Sequence, residues 1–271
     1  MKKFFAMTLC VIMVFGLVAC DSNPGASIPE GGIFTQPEET TVMSREDAVK
    51  TVEKYYKKVG VNSEDLLVSS DTVLDESYSG TITVVVADSH RRESVQQRNK
   101  LFQTVLALPN WHMYSYLGLV LFDSSPHIKV PVTHQIEFSS DAFDQHDKGA
   151  ESILDDNNWD DNSAAFDAVV AGLKMLTDAQ EYAPSATLNL VLISSGGTDT
   201  SRSVSKAEKI IQLANGLCVR IHTVAYAVIG NEQSETLRKM AESTGGEYLE
   251  ADTKTIQVTV RDLMKKIEGR Q

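Results

Sequence analysis

From Gly80 onward the sequence alternates short β-branched and aliphatic runs with longer amphipathic stretches, and that alternation admits few architectures. The runs cover residues 81–87, 114–122, 188–194 and 219–227, and Leu190-Val191-Leu192-Ile193 is apolar at every position. An unbroken apolar run of that length suits a strand covered on both faces. Between the runs, apolar residues recur at helical spacing: Leu101, Phe102, Val105 and Leu106, then Phe166, Val169, Val170, Leu173 and Leu176. Val204, Ala207, Ile210, Ile211 and Ala214 repeat the pattern once more. Each interval makes a crossover unit, and right-handed crossovers build a mostly parallel sheet with helices on both sides. The expected fold is α/β, doubly wound and Rossmann-like. Ser205 with Glu208 predicts a capping box, and Gly216 and Gly245 predict helix stops. Residues 128–133 are expected to return as a hairpin on the preceding strand, and there is no internal repeat.

A chain of 271 residues with 42% hydrophobic and 23% charged content has a globular composition and can bury a sizeable core. Ahead of the alternating region, Ser44 and Asp47 resemble a capping box, and Ala48, Val52, Tyr55, Tyr56 and Val59 then share one helical face. Such a short helix is marginal alone in water, so it is expected to pack on the domain that follows, as an extension over residues 44–79. Residues 66–68 offer a short edge strand. Residues 20–43 carry Pro24, Pro29 and Pro37 with Gly25, Gly31 and Gly32 and read as a tether. As a flexible coil its root-mean-square reach is about 25–30 Å.

At the N-terminus, Lys2 and Lys3 precede an uncharged apolar run from Phe4 to Ala19 that ends at a cysteine, the pattern of a secretion signal over residues 1–19. The run is slightly short for a membrane-spanning helix, which needs roughly 17–25 residues. Leu17-Val18-Ala19-Cys20 resembles the lipobox of bacterial lipoproteins. The resemblance implies cleavage before Cys20, acylation of its thiol, and a lipid-anchored protein on the extracytoplasmic face of a bacterial cell membrane. Losing Lys2 and Lys3 moves the net charge from −12 to −14, which makes nucleic acid and anionic headgroups poor partners. Cys10 leaves with the signal, and Cys218, inside the apolar stretch 217–228, reads as a buried thiol.

Four segments over about residues 80–268 resemble the von Willebrand factor A family. Val84-Val85-Val86-Ala87-Asp88 is similar to its first strand. Gly118-Leu119-Val120-Leu121-Phe122-Asp123 with residues 128–133 is similar to its second strand and return. Residues 163–176, with Ala168-Val169, resemble its central helix, and residues 219–227, Leu237-Arg238-Lys239-Met240-Ala241 and Gly245-Gly246-Glu247-Tyr248 resemble its closing strand, helix and strand. The resemblance implies a vWA-like domain over residues 80–271, with a ligand site at the carboxyl ends of the strands where strand order switches. Asp88, Ser163 and Ser195 should converge there.

Members of that family often hold a magnesium ion on an Asp-x-Ser-x-Ser turn, a threonine and a second aspartate, a set of hard oxygens suited to such a cation. Here His90 and Arg92 occupy the serine positions, Ser163 the threonine and Ser195 the second aspartate, with Arg91 adjacent. At about 4 Å and an effective dielectric of about 20, each misplaced unit charge costs a divalent ion several kcal/mol. Three readings stay open: a decayed site in which Asp88 pairs with an arginine or caps a helix, an arginine that receives a partner's carboxylate in place of the metal, and a residual divalent site on Asp88 and Ser163. The expectation is no cofactor. Asp156, Asn158 and Asp160 alternate as in a calcium loop, but no closing glutamate follows, so residues 155–161 read as a solvated acidic loop, with Trp159 a core aromatic or a contact residue.

Signals for catalysis are poor. Gly-x-Ser-x-Gly, His-Glu-x-x-His and phosphate-loop motifs are absent, and Ser203 with Lys206 reads as capping and surface residues rather than a serine–lysine pair. The sequence therefore points to a non-enzymatic lipoprotein that binds a protein or envelope component through apical loops. The alternative is a structural scaffold of a membrane-proximal complex that uses another face.

Overall fold

The computed structural model describes residues 43–61, 74–88, 95–108, 115–134, 163–195, 199–227 and 230–269. The signal, the tether, the edge strand at 66–68 and the acidic loop with Trp159 lie outside the described residues, as do Cys20, His90, Arg91 and Arg92.

Six strands form one sheet: β1 (Thr81–Asp88), β2 (Tyr116–Phe122), β3 (Pro126–His134), β4 (Thr187–Ser194), β5 (Val219–Tyr226) and β6 (Tyr248–Ala251). Their order is β3-β2-β1-β4-β5-β6. Only the β2–β3 pair is antiparallel, and it is the expected hairpin. Six helices accompany them among the described residues: α1 (Arg45–Val59), α2 (Val95–Leu106), α3 (Ala165–Tyr182), α4 (Ala207–Gly216), α5 (Asn231–Ser243) and α6 (Ile256–Ile267).

The central strands β1, β2 and β4 are apolar at successive positions because both faces are covered. Ile82, Val84 and Val86 face one core with α1, α3, α4 and α5, while Val85 and Ala87 face a second core with α2 and α6. Leu190 and Leu192 join the first core, Val191 and Ile193 the second. Alternation along a strand thus places each side chain in one layer or the other.

Ser44 caps α1 as its sequence suggests, its hydroxyl oxygen accepting from the Asp47 N–H at 3.2 Å. The helix is tied to α3 by Arg45, which donates to Gln180 at 2.8 Å, and by a Lys174–Glu53 pair at 3.2 Å. Gly216 is the last residue of α4, and a Cβ there would lie 2.8 Å from that of Ala48, so the glycine also admits α1. The left-handed residue after α4 is Cys218, with φ 57°. This corrects the sequence reading of a buried thiol: Cys218 is exposed, because it is the turn residue before β5 begins at Val219. The capping box at α4 is also absent. Lys206 is the N-cap without a side-chain bond, and Glu208 instead accepts from Lys239 of α5 at 2.6 Å.

Gly245 does end α5 as expected. With φ 72° it donates to Glu242 O, and Gly246 donates to Ala241 O at 2.9 Å, a Schellman arrangement. Gly246 then presses on β5, where a Cβ would lie 2.0 Å from Ile221 O. Beside it, His222 sits inside the sheet layer. Its Nδ1 accepts from the Glu247 N–H at 3.2 Å, which leaves Nε2 to donate to Asn189 Oδ1 at 3.2 Å. Burial pushes the His222 ring down to about 4, with Arg220 and Lys266 adding to the effect and the Glu247 carboxylate opposing it.

Candidate functional site

Strand order reverses between β1 and β4, so the gap beyond their carboxyl ends is the topological switch point. Asp88 is the last residue of β1 and is buried, and Ser195 directly follows β4. They meet there: Asp88 Oδ2 accepts the Ser195 hydroxyl at 2.9 Å and the Ser195 N–H at 3.3 Å. Charge on an otherwise desolvated carboxylate is therefore held by donors from the neighbouring strand end.

Ser163 is 2% exposed and precedes α3. It pairs as an isolated parallel bridge with Asp199, and its carbonyl accepts the Thr200 N–H at 2.7 Å. The next residue, Ala164, donates to Asp123 O at 2.6 Å. The segment is thus stitched between the turn after β2 and the loop after β4. Ser163 shares with Ser194 the lining of a cleft of about 350 Å³. A larger cleft of about 700 Å³ lies between α5 and the start of α6, around Arg238, Glu250 and Asp252, and none of the three expected residues lines it.

Three aspartates that sequence reasoning passed over organise this edge. Asp123 follows β2 and accepts from the Ser125 N–H at 3.0 Å and from His127 at 3.3 Å. Burial would raise its carboxyl, but the His127 and Ser125 hydrogen bonds outweigh that and hold it below the ordinary range. Asp167, buried in the first turn of α3, accepts the Arg202 N–H at 2.8 Å, the Ser203 N–H at 2.9 Å and the Ser203 hydroxyl. Those bonds pin the loop after β4 to α3, with Ser203 as one of the residues that Asp167 holds. Asp199 accepts the Ser201 hydroxyl at 2.7 Å, and Ser201 Oγ accepts the Asp167 N–H at 2.9 Å. Burial raises the Asp199 carboxyl and Asp167 repels its charge, against the Ser201 and Phe166 hydrogen bonds.

The sequence signal for Asp199 was present but displaced. The aligned aspartate position holds Ser195, and Gly196-Gly197-Thr198 carry the next carboxylate four residues downstream. Asp88 Oδ2 accepts the Ser195 hydroxyl, Asp199 accepts the Ser201 hydroxyl, and among the described residues no three His, Cys, Asp or Glu side chains are grouped to hold an ion.

No protein-family model matches the sequence, and no curated protein is similar to it. Solved structures are. A von Willebrand factor type A protein from Catenulispora acidiphila superposes with a TM-score of 0.53 at 15% identity, over 71% of this chain and 44% of that one. The chain has a von Willebrand factor A fold. The pilus adhesin SpaC from Lactobacillus rhamnosus GG, in its open conformation, superposes with a TM-score of 0.52 at 12% identity, over 71% of this chain and 30% of that one. The chain thus spans less than half the length of either neighbour. Both likenesses concern the fold.

Proposed function

We propose that the chain is a lipid-anchored extracytoplasmic protein whose A-type domain captures a protein or cell-envelope component through the loops at the carboxyl ends of β1 and β4, without catalysis. The observation that carries this reading is the meeting of Asp88 with Ser195 at the switch point, beside the cleft lined by Ser163 and Ser194. Open parallel sheets place their ligands there. The fold is shared with a protein named as a pilus adhesin, which supports adhesion as the class of activity. Anchoring rests on the Cys20 motif, since no described helix is long and apolar enough to cross a membrane.

Fractionation tests the anchor. Cys20→Ser should leave the membrane fraction or remain as an uncleaved precursor, and wild-type processing and partitioning would refute acylation. The binding face is tested separately with Ser195→Ala, which removes one hydrogen bond to Asp88. Partner cross-linking from intact cells should fall, and unchanged cross-linking would move the interaction to another face and favour the scaffold reading.

A further inference from the structure

We propose that the cleft beside Ser163 receives a lysine or arginine side chain presented by the partner, so that the apical face recognises a basic rather than an acidic group. This rests on the apical-capture reading and names the chemistry of what is captured.

The cleft opens between the first turn of α3, the end of β4 and one face of α5. Its floor is apolar, with Phe166, Leu192, Leu237 and Met240, while its rim carries Asp199 and Glu232. Ser163 and Ser194 add hydroxyls at the strand end, and among the described residues no lysine, arginine or histidine lines it. A volume of about 350 Å³ is close to a dozen waters' share of the liquid, enough for one or two side chains and too little for a folded element. The occupant must therefore be slender, apolar along its length and positive at its end. Lysine and arginine have that form, with aliphatic stems that cover apolar surface below a charged head.

Asp199 supplies the electrostatic reason. Its carboxylate is penalised by burial and by Asp167, and only part of that penalty is returned by Ser201 and Phe166. An entering cation would offset both by pairing with the carboxylate. Asp167 has no similar need, because three donors from residues 202 and 203 already surround it. A carboxylate ligand, by contrast, would meet two acidic rim residues and no cation among the described lining residues.

The test uses the full chain in detergent, titrated calorimetrically with Nα-acetyl-arginine methylamide and Nα-acetyl-lysine methylamide. Neutral Nα-acetyl-citrulline methylamide and acidic Nα-acetyl-aspartate methylamide serve as controls. The basic probes should saturate in the millimolar range and bind at least about tenfold more tightly than citrulline. Glu232→Gln, on an exposed rim position, should weaken them about two- to fivefold. Asp199→Asn, which keeps an acceptor for Ser201, should weaken them by about tenfold or more. Gln233→Lys, which supplies a competing cation at the rim, should abolish binding even if Asp199→Asn fails to fold. Equal binding of citrulline, tighter binding of the aspartate probe, no saturation by either basic probe, or indifference to Glu232→Gln and Gln233→Lys would each overturn the proposal. Probe binding needs neither membrane nor partner, so its failure would leave apical capture itself untouched.

Discussion

Lowering the pH should destabilise this domain through His222 before carboxylate protonation becomes the main effect. In the native state the ring is held neutral, accepting from the Glu247 N–H and donating to Asn189, and burial lowers its proton affinity to about 4 from an ordinary value of 6.5. The unfolded chain therefore binds a proton that the folded chain refuses throughout that window. Stability is unaffected by this group above about pH 6.5, falls as the pH drops below it, and levels off below about pH 4. The full difference is roughly 3 kcal/mol, and about 2–3 kcal/mol should be expressed by about pH 4.5. His222 is 6% exposed, so solvent screening takes little from that figure. For a domain of this size the change corresponds to about 5–10 °C in Tm. The assay is denaturant unfolding of the wild type and of His222→Gln at about pH 7 and about pH 4.5. Carboxylate contributions are common to both proteins and cancel in the difference. The wild type should lose about 2–3 kcal/mol more than the variant. Equal losses would show that the ring is protonated in the native state and that its surroundings are wetter or more acidic than Arg220, Lys266 and Glu247 imply.

Other consequences follow from single contacts. Gly246→Ala should destabilise by several kcal/mol, because its Cβ would fall 2.0 Å from Ile221 O, and a wild-type midpoint in chemical denaturation would contradict the α5–β5 junction. Cys218 should label with a thiol reagent in the native protein as fast as a free cysteine, and protection until unfolding would restore the buried reading. The unmodified chain should show no magnesium- or manganese-dependent rise in Tm, a response that a real site would make obvious at about 2.7 kcal/mol for ligand at 100 times Kd. The combined change His90→Ser, Arg92→Ser and Ser195→Asp should create that dependence by restoring two hydroxyls and a carboxylate while removing one positive charge. No shift in that variant would leave decay as the better account of the site.

What could be read from the sequence was whatever a local pattern encodes. Strands β1 and β4 are buried on both faces, so they carry the continuous apolar runs at residues 84–87 and 190–193, and α1 is announced by Ser44 together with its own periodicity. The approach of Asp88 to Ser195 was legible too, because Asp88 closes one apolar run and Ser195 directly follows another. The errors arose where a tertiary partner or a single backbone angle decides. Glu208 is drawn to Lys239 across a helix interface instead of capping its own helix, and Cys218 is turned outward by one left-handed residue at the edge of an apolar run. Asp167 and Asp199 act through hydrogen bonds to a loop some 35 residues away and to its own turn, and no spacing rule reveals such contacts.

The central claim is that the carboxyl edge of the sheet is the working face. A photoreactive amino acid placed in living cells at Arg202 or Glu232, both exposed on that edge, can be compared with the same group at Glu181 or Thr187, both exposed at the opposite end. Discrete covalent adducts should form from Arg202 and Glu232 and be absent from Glu181 and Thr187. Adducts confined to Glu181 and Thr187, or equal at both ends, would contradict apical capture.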